Sequence, residues 1–228
     1  MSDKIALSWS RIDLYRQCPK KFKATHIDKV IEFDDSNPAL QKGKKIHKEL
    51  EDYTNWMNDP DGDPPKMVQA AKNAVPILKR LKAKTGHVYP EKQLALTHNW
   101  EKTDWFSSTE VLRYRAIIDA LAFDGDTLIV IDHKSGKVRE YTEDFGQLHL
   151  TAAILLSLYP KMQKVECSYL FVEHKKTAKI TITRSQLKPL MEQFDAEWEQ
   201  VNAETEWAPK KNRYCNWCQI KEDCEIYG

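Results

Sequence analysis

The sequence predicts an α/β fold with a mixed β-sheet core, an antiparallel meander and a crossover helix, flanked by N-terminal helices. Between residues 91 and 133, segments of alternating apolar residues follow one another with short connections, which only antiparallel strands allow. A helix-length segment over 142–159 then separates the strand at 127–133 from one that begins near 165. A connection of that length lets these last two strands run parallel. We interpret residues 1–228 as one domain.

The N-terminal helices are predicted from capping signals and apolar periodicity. A first helix is expected over 8–25. Asn37 followed by Pro38 is a typical N-cap and first turn, so a second helix is expected over 38–56.

Two further helices are predicted later in the chain. The acidic, proline-containing segment 58–65 predicts an exposed loop. A third helix is expected over 66–84, with a kink at Pro76. An amphipathic segment predicts a last helix over 185–204.

Bulk composition excludes several classes of protein. Hydrophobic residues are 41% and charged residues 30%, as in ordinary globular proteins, and a net charge of +1 gives no global basic field. No apolar run is long enough to span a membrane, and the N-terminus has no apolar signal-peptide region. We therefore expect no membrane partner and a cytoplasmic location, or the host cytoplasm for a phage protein. The five cysteines are then expected as thiols or metal ligands.

Two aspartates and a lysine are predicted to converge at one end of a hairpin. The residue numbers of Asp119 and Asp132 sum to 251, and a turn at 125–126 would place them directly opposite each other. A turn at 124–125 would instead place them diagonally on the same face. Lys134 follows two residues later, so strand alternation puts it on that face as well.

This arrangement suits metal-dependent hydrolysis of a phosphodiester. Carboxylate oxygens are the ligands that Mg²⁺ prefers, and an adjacent ammonium can stabilise charge on a phosphate. The alternative is structural, with both aspartates paired to Lys134 and Arg115 at the strand ends. Aspartate is depleted from strands, so the apolar sequences leading into both acids favour the functional interpretation.

Several motifs resemble those of one nuclease family. The hairpin AIIDALAFDGDTLIVIDHKSGK (116–137) resembles the active-site hairpin of the PD-(D/E)XK nuclease superfamily, particularly its RecB-like branch. Segments 8–23, 43–51 and 147–153 resemble that branch's opening helix, its histidine-bearing helix and its glutamine-bearing helix. The C-terminal cysteines resemble the iron–sulfur subset, which includes the AddB-type and CRISPR-adaptation exonucleases.

The resemblance implies a restriction-endonuclease-like fold and a role for each matching residue. The implied metal ligands are His47, Asp119, Asp132 and the backbone carbonyl of His133. The implied catalytic residues are Lys134, Asp132, Asp119 and Gln147, with Gln147 also contacting DNA. The implied metal is Mg²⁺ or Mn²⁺.

The sequence departs from the family pattern in two places, and two residues keep alternative interpretations. Thr151 stands where the family usually has Tyr, and Asp132 where many members have Glu. From the residues alone, His47 could be a surface histidine one helical turn before Glu51. Glu91 opens the first strand and is either an acid supporting the site or an exposed strand-start residue.

Four cysteines form a candidate metal site. They are Cys18, Cys215, Cys218 and Cys224, whereas Cys167 lies inside an apolar strand and is expected in the core. Four thiolates can hold a 4Fe–4S cluster or a structural zinc ion. The resemblance favours the 4Fe–4S cluster, which would join 1–25 to 205–228, and zinc remains the alternative.

Basic and aromatic residues near the predicted sites are candidates for DNA contact. These are Lys137, Arg139, Lys210, Lys211, Arg213 and Trp217. Aromatic faces can stack on bases and basic groups can neutralise phosphates. The alternatives are a solvated charged face and aromatic shielding of the cluster.

The sequence therefore favours an Mg²⁺- or Mn²⁺-dependent DNA exonuclease acting in recombination, repair or phage DNA processing. One alternative is a catalytically silent DNA-binding or partner-binding module on a nuclease scaffold. Another is a zinc protein without enzymatic activity. The sequence has no helicase-type segment, so any helicase or recombination partner is expected to be a separate protein.

Overall fold

A computed structural model describes residues 4–31, 36–107, 111–136, 138 and 144–227. Its centre is a six-stranded sheet in the order β2-β1-β3-β4-β5-β6. The strands are β1 (Tyr89–Thr97), β2 (Lys102–Thr103), β3 (Leu112–Asp124), β4 (Thr127–Lys134), β5 (Lys164–Phe171) and β6 (Lys176–Thr183). The helices are α1 (Trp9–Gln17), α2 (Pro19–His26), α3 (Pro38–Asn58), α4 (Gln69–Lys72), α5 (Val75–Thr85), α6 (Gly146–Leu158) and α7 (Leu187–Ala203).

The predicted fold class is confirmed. Strands β1, β3 and β4 form an antiparallel meander, and β4 pairs with β5 in parallel after the crossover through α6. Strand β6 then pairs antiparallel with β5. The two-residue strand β2 was not predicted, because it is too short to show alternation.

Two predicted helices are each divided in two. The first breaks at Cys18, which is extended with φ −165° and ψ 106°, and α2 begins at Pro19. A residue before proline is driven out of the helical region by the proline ring. Pro76 likewise lies in the first turn of α5 rather than at a kink, because proline suits a helix start.

Two apolar layers enclose the sheet. On one face, Leu128 and Val130 pack with α6 and α7, whose Phe194 and Trp198 are buried. On the other face, Ile131 packs with buried residues of α3, α4 and α5. Since the sheet is covered on both sides, β4 is almost continuously buried up to the point where its polar residues emerge.

The remaining contacts fasten both ends of the chain to this framework. Asn202 on α7 accepts from the Ile5 backbone N–H at 2.7 Å, and the Tyr15 hydroxyl donates to Glu204 at 2.8 Å. The 3₁₀ turns at Cys215–Trp217 and Lys221–Asp223 follow in the C-terminal segment. Within the described ranges, no helix has the length and apolar character needed to cross a membrane.

The N-cap of α3 is the local feature that fixes the start of the helix bearing His47. The Asn37 side chain accepts from the backbone N–H of Ala39 at 2.9 Å and of Leu40 at 3.4 Å, as the sequence predicts.

We expect Asn37→Ala to lower the free energy of unfolding by about 1 kcal/mol, because it leaves helix N–H groups without an acceptor. Urea denaturation measures this loss. Asn55→Ala, at an exposed position in the same helix, is the matched control and should cost nothing, since alanine favours the helix. An equal effect of both substitutions would contradict the capping role.

Candidate metal centre and active site

Three side chains from three different elements form a group able to hold a metal ion. They are His47 from α3, Glu91 from β1 and Asp119 from β3, and one ligand atom of each lies within 4.8 Å of the others. Nδ1 of His47 is 3.4 Å from Oδ1 of Asp119 and 3.8 Å from Oε1 of Glu91. Nitrogen and carboxylate oxygen donors of this kind suit a divalent cation.

The β3–β4 hairpin has the register expected for the predicted turn at 125–126. Its pairs include Asp124 with Thr127 and Ala120 with Ile131, whose numbers sum to 251. One residue further, the side chain of Asp119 accepts from the backbone N–H of His133 at 2.6 Å. The other oxygen of Asp119 is thereby left to face His47.

Asp132 belongs to an adjacent group with Lys134 and Gln147. The Gln147 amide donates to Oδ1 of Asp132 at 2.5 Å, and Lys134 Nζ donates to Gln147 Oε1 at 2.8 Å. Nζ of Lys134 also lies 2.7 Å from Oδ2 of Asp132. The structure therefore brings together Lys134, Asp132 and Gln147, but it does not bring Asp132 within 4.8 Å of all three members of the first group.

The structural alternative for the aspartates holds in part. Lys134 pairs with Asp132, but Arg115 pairs with no carboxylate in the described part of the chain. Nζ of Lys134 also lies 4.8 Å from the centroid of the Tyr169 ring, which orients the ammonium further.

The two groups influence one another electrostatically. The nearby carboxylates of Asp119 and then Glu91 raise the pKa of His47 to about 10. Burial acts to raise the pKa of Asp119, but the hydrogen bond and charge of His47 outweigh it and hold that pKa below its usual value. Burial raises the pKa of Asp132 to about 6, and the nearby Asp119 charge adds to this despite Lys134. The charge of Asp119 therefore acts on the protonation of Asp132.

The buried carboxylate of Asp132 is compensated by charge at one of its oxygens. Oδ2 of Asp132 is buried, and its contact with the Lys134 ammonium is an ion pair that lacks the geometry of a hydrogen bond. His47, Glu91 and Asp119 are the residues that would hold a divalent cation, since their ligand atoms lie close to one another. The role of Asp132 as a metal ligand stays a prediction.

Glu91 is the member of the group whose role the sequence alone leaves open. It has φ +45°, a conformation that a non-glycine residue rarely adopts and that recurs at functional sites. The β1–β3 register pairs Pro90 with Ala120 and Lys92 with Ile118, so Glu91 falls opposite Asp119. The sequence signal for this was only the position of Glu91 at the start of a strand.

His133 is buried within β4, and burial lowers the pKa of its imidazole to about 4. Its ring contributes no ligand to the group, and its backbone N–H is used by Asp119. The role of its carbonyl as a metal ligand stays a prediction.

The four predicted cluster cysteines come from opposite ends of the sequence and line one cavity. Cys18 lies between α1 and α2, and the others border the two C-terminal 3₁₀ turns. The cavity has a volume of about 30 Å³ and is also lined by four lysines: Lys20, Lys21, Lys210 and Lys221. The backbone N–H of Asn212 donates to Sγ of Cys215 at 3.3 Å. Cys167 is buried in the core, as expected.

The four cysteines do not form a compact metal-holding group. All four are described, and no three of their Sγ atoms lie within 4.8 Å of one another. A 4Fe–4S cluster and a structural zinc ion therefore both stay predictions.

The predicted DNA-contacting residues have varied surroundings. Lys210 donates to the Arg16 carbonyl at 3.1 Å, and Arg213 donates to the Tyr214 hydroxyl at 2.8 Å. Lys211 is exposed, and Trp217 is 77% exposed, so Trp217 does not shield the cysteines. Two more candidates, at 137 and 139, lie outside the described residues, and DNA contact by any of the six stays a prediction.

Comparisons with known proteins agree with this geometry. A sequence model of the PD-(D/E)XK nuclease superfamily matches residues 6–225. The crystal structure of SSO0001 is similar to this chain with a TM-score of 0.54 at 14% identity, over 100% of this chain and 88% of that chain. An identity this low supports likeness of fold alone. A search of curated proteins gives no match.

We expect Mn²⁺ binding to release about one proton at pH 7.5, because His47 with a pKa of about 10 is protonated and must become neutral to coordinate. Isothermal titration calorimetry in buffers of different ionisation enthalpy measures this release. His47→Gln should abolish it, whereas His174→Ala, at an exposed position, should not. Proton release that persists in His47→Gln would contradict the role of His47.

Proposed function

Because the chain belongs to the PD-(D/E)XK nuclease superfamily, we propose that it is a metal-dependent deoxyribonuclease, and specifically an Mg²⁺- or Mn²⁺-dependent exonuclease. The observation that carries this proposal is the presence of two neighbouring groups where β4 stops pairing with β3. One is the ligand group His47, Glu91 and Asp119, and the other joins Lys134 to Asp132 and Gln147.

The residues divide the chemistry between them. A bound divalent cation supplies a Lewis acid that polarises the phosphoryl group and lowers the pKa of a coordinated water. Asp119, Glu91 and His47 hold and orient that cation from three elements. The ammonium of Lys134, aimed by Gln147 and Asp132, stabilises negative charge that develops on the scissile phosphate or orients the attacking water.

The second part of the proposal is a 4Fe–4S cluster held by Cys18, Cys215, Cys218 and Cys224. The single cavity that all four cysteines line supports it, and the resemblance to the iron–sulfur subset favours it over zinc. The lysines around the cavity can offset the negative charge of thiolate ligands. The cluster would join 1–25 to 205–228 within one RecB-like nuclease domain.

The biological setting is proposed on the family resemblance alone. We infer a role in DNA recombination, repair or phage DNA processing in the cytoplasm, with a separate helicase or recombination protein as a possible partner. Gln147 and the basic residues of the C-terminal segment would contact the DNA.

We expect Asp119→Ala or Lys134→Ala to reduce DNA cleavage by at least about 100-fold. Asp119→Ala removes a ligand of the metal, and Lys134→Ala removes the ammonium that stabilises charge on the reacting phosphate. The assay is digestion of single-stranded and duplex DNA labelled at the 5′ or 3′ end, with and without Mn²⁺. A true exonuclease releases labelled mononucleotides or short products from one end.

Matched controls are Asp61→Ala in an exposed loop and Lys176→Ala on an edge strand, both of which should cleave normally. Circular dichroism checks that every variant is folded. Full activity of Asp119→Ala or Lys134→Ala would overturn the assignment. Absence of cleavage by the wild-type protein, together with salt-sensitive DNA binding, would instead indicate a silent binding module.

We expect protein purified without oxygen to be brown, with an absorption band near about 400 nm from thiolate-bound iron. Metal analysis should give about four irons per chain for one Cys₄ cluster. Cys224→Ser should lose the band, and Cys167→Ser should keep it because Cys167 lies outside the cavity. Colourless protein with stoichiometric zinc would contradict the cluster.

A further inference from the structure

A groove beside the candidate active site is built mainly from α1, α6 and β3. Its volume is about 410 Å³, and its lining runs from the start of α1 to Gln147 on α6. No acidic residue lines it in the part of the chain that the structure describes. Its charge is therefore opposite to that of the adjoining metal centre, which is rich in carboxylates.

Two arginines give the groove its charge. Arg11 and Arg115 both line it, and neither pairs with a carboxylate among the described residues. Nε of Arg115 is buried without a hydrogen-bond partner. Burial, and then the positive charge of Arg115, lowers the pKa of Arg11. Such a pair is stabilised by an anion placed between or beside its members.

Aromatic rings flank this pair. The Arg115 guanidinium lies 5.4 Å from the centroid of the Trp105 ring and 5.8 Å from that of Phe106. The Phe106 side chain is 84% exposed. These cation–π contacts hold Arg115 in place and leave aromatic surface for an unpaired base.

The wall of the groove that the start of α1 forms also favours binding of a phosphate. Helix α1 begins at Trp9 in this groove, so the positive end of its dipole points there. The Trp9 indole lies against the first turn of α6, where a β-carbon on Gly146 would come within 1.9 Å of it. Only glycine permits this close packing, which fixes the wall next to Gln147.

The groove is continuous with the site of the proposed chemistry. Gln147 lines it and also contacts both Asp132 and Lys134. Arg115 precedes Asp119 by four residues on β3, so strand geometry separates their Cα atoms by about 13 Å. A strand whose scissile phosphate lies at the metal centre can therefore also reach Arg115.

We propose that this groove binds a single-stranded segment of the DNA substrate, with Arg11 and Arg115 on a backbone phosphate and Trp105 and Phe106 stacked on unpaired bases. This deepens the proposed function and rests on it for the catalytic part. Stacking requires unpaired bases, so the groove selects a single strand over a blunt duplex.

The test measures binding and cleavage separately. Fluorescence anisotropy follows a labelled oligo(dT) strand at several salt concentrations without added divalent metal, with an unlabelled blunt duplex as competitor. Trp105→Ala should weaken oligo(dT) binding at least about fivefold, and Arg115→Ala should lower the slope of log affinity against log salt by about 0.7. Arg80→Ala, an exposed arginine on α5, is the matched control and should change neither.

A further variant and the cleavage assay keep the outcomes distinct. Arg115→Lys keeps the positive charge, so it should keep the slope of log affinity against log salt. This variant also serves as a test if Arg115→Ala does not fold. In the presence of Mn²⁺, the Arg115 and Trp105 variants should raise the KM for single-stranded DNA more than they lower kcat.

Each result bears on one proposal. Unchanged oligo(dT) binding in folded Trp105→Ala or in folded Arg115→Ala would overturn the groove assignment even if the wild type cleaves DNA. A lowered salt slope in folded Arg115→Lys, or equal losses for duplex and single strand, would overturn it as well. If the groove variants bind oligo(dT) more weakly but the wild type cleaves no DNA, the groove assignment stands and the nuclease function is overturned.

Discussion

The hydrogen bond from the backbone N–H of His133 to the carboxylate of Asp119 is the constraint on which the site depends. Regular pairing between β3 and β4 ends at Ala120 and Ile131, and this side chain takes the next donor. A ladder that continued would satisfy that N–H with a backbone carbonyl and leave the aspartate free to rotate. Instead, one carboxylate oxygen of Asp119 is fixed by its hydrogen bond to the sheet backbone. The other oxygen faces His47 on α3.

The site is a balance of buried charges. Three carboxylates face one imidazolium and one ammonium, and all five groups come from strands or a helix whose positions are fixed by the core. Burying carboxylates is costly unless charge partners compensate. Without a metal, the protons on His47 and Lys134 provide that compensation. A divalent cation can take the place of the proton on His47. The carboxylates are therefore compensated by positive charge both with and without the metal.

The sequence predicts the parts of this arrangement that depend on local signals. The Asp-Gly turn determines the β3–β4 register, and with it the positions of Asp119, Asp132 and Lys134. The sequence alone leaves the role of Glu91 open, because the register of β1 against β3 depends on a long connecting segment that carries no simple turn signal. Apolar periodicity predicts one helix that continues through Cys18. In the structure, the proline that follows drives Cys18 out of the helical conformation, so the helix is divided there.

The edges of the sheet have a consequence for the behaviour of the protein in concentrated solution. One edge is the two-residue strand β2, and the other is β6, which carries Lys176 and Lys179. A second copy that tried to extend the sheet at β6 would have to dehydrate these ammonium groups and bring them close to its own. The lysines of β6 therefore discourage edge-to-edge aggregation.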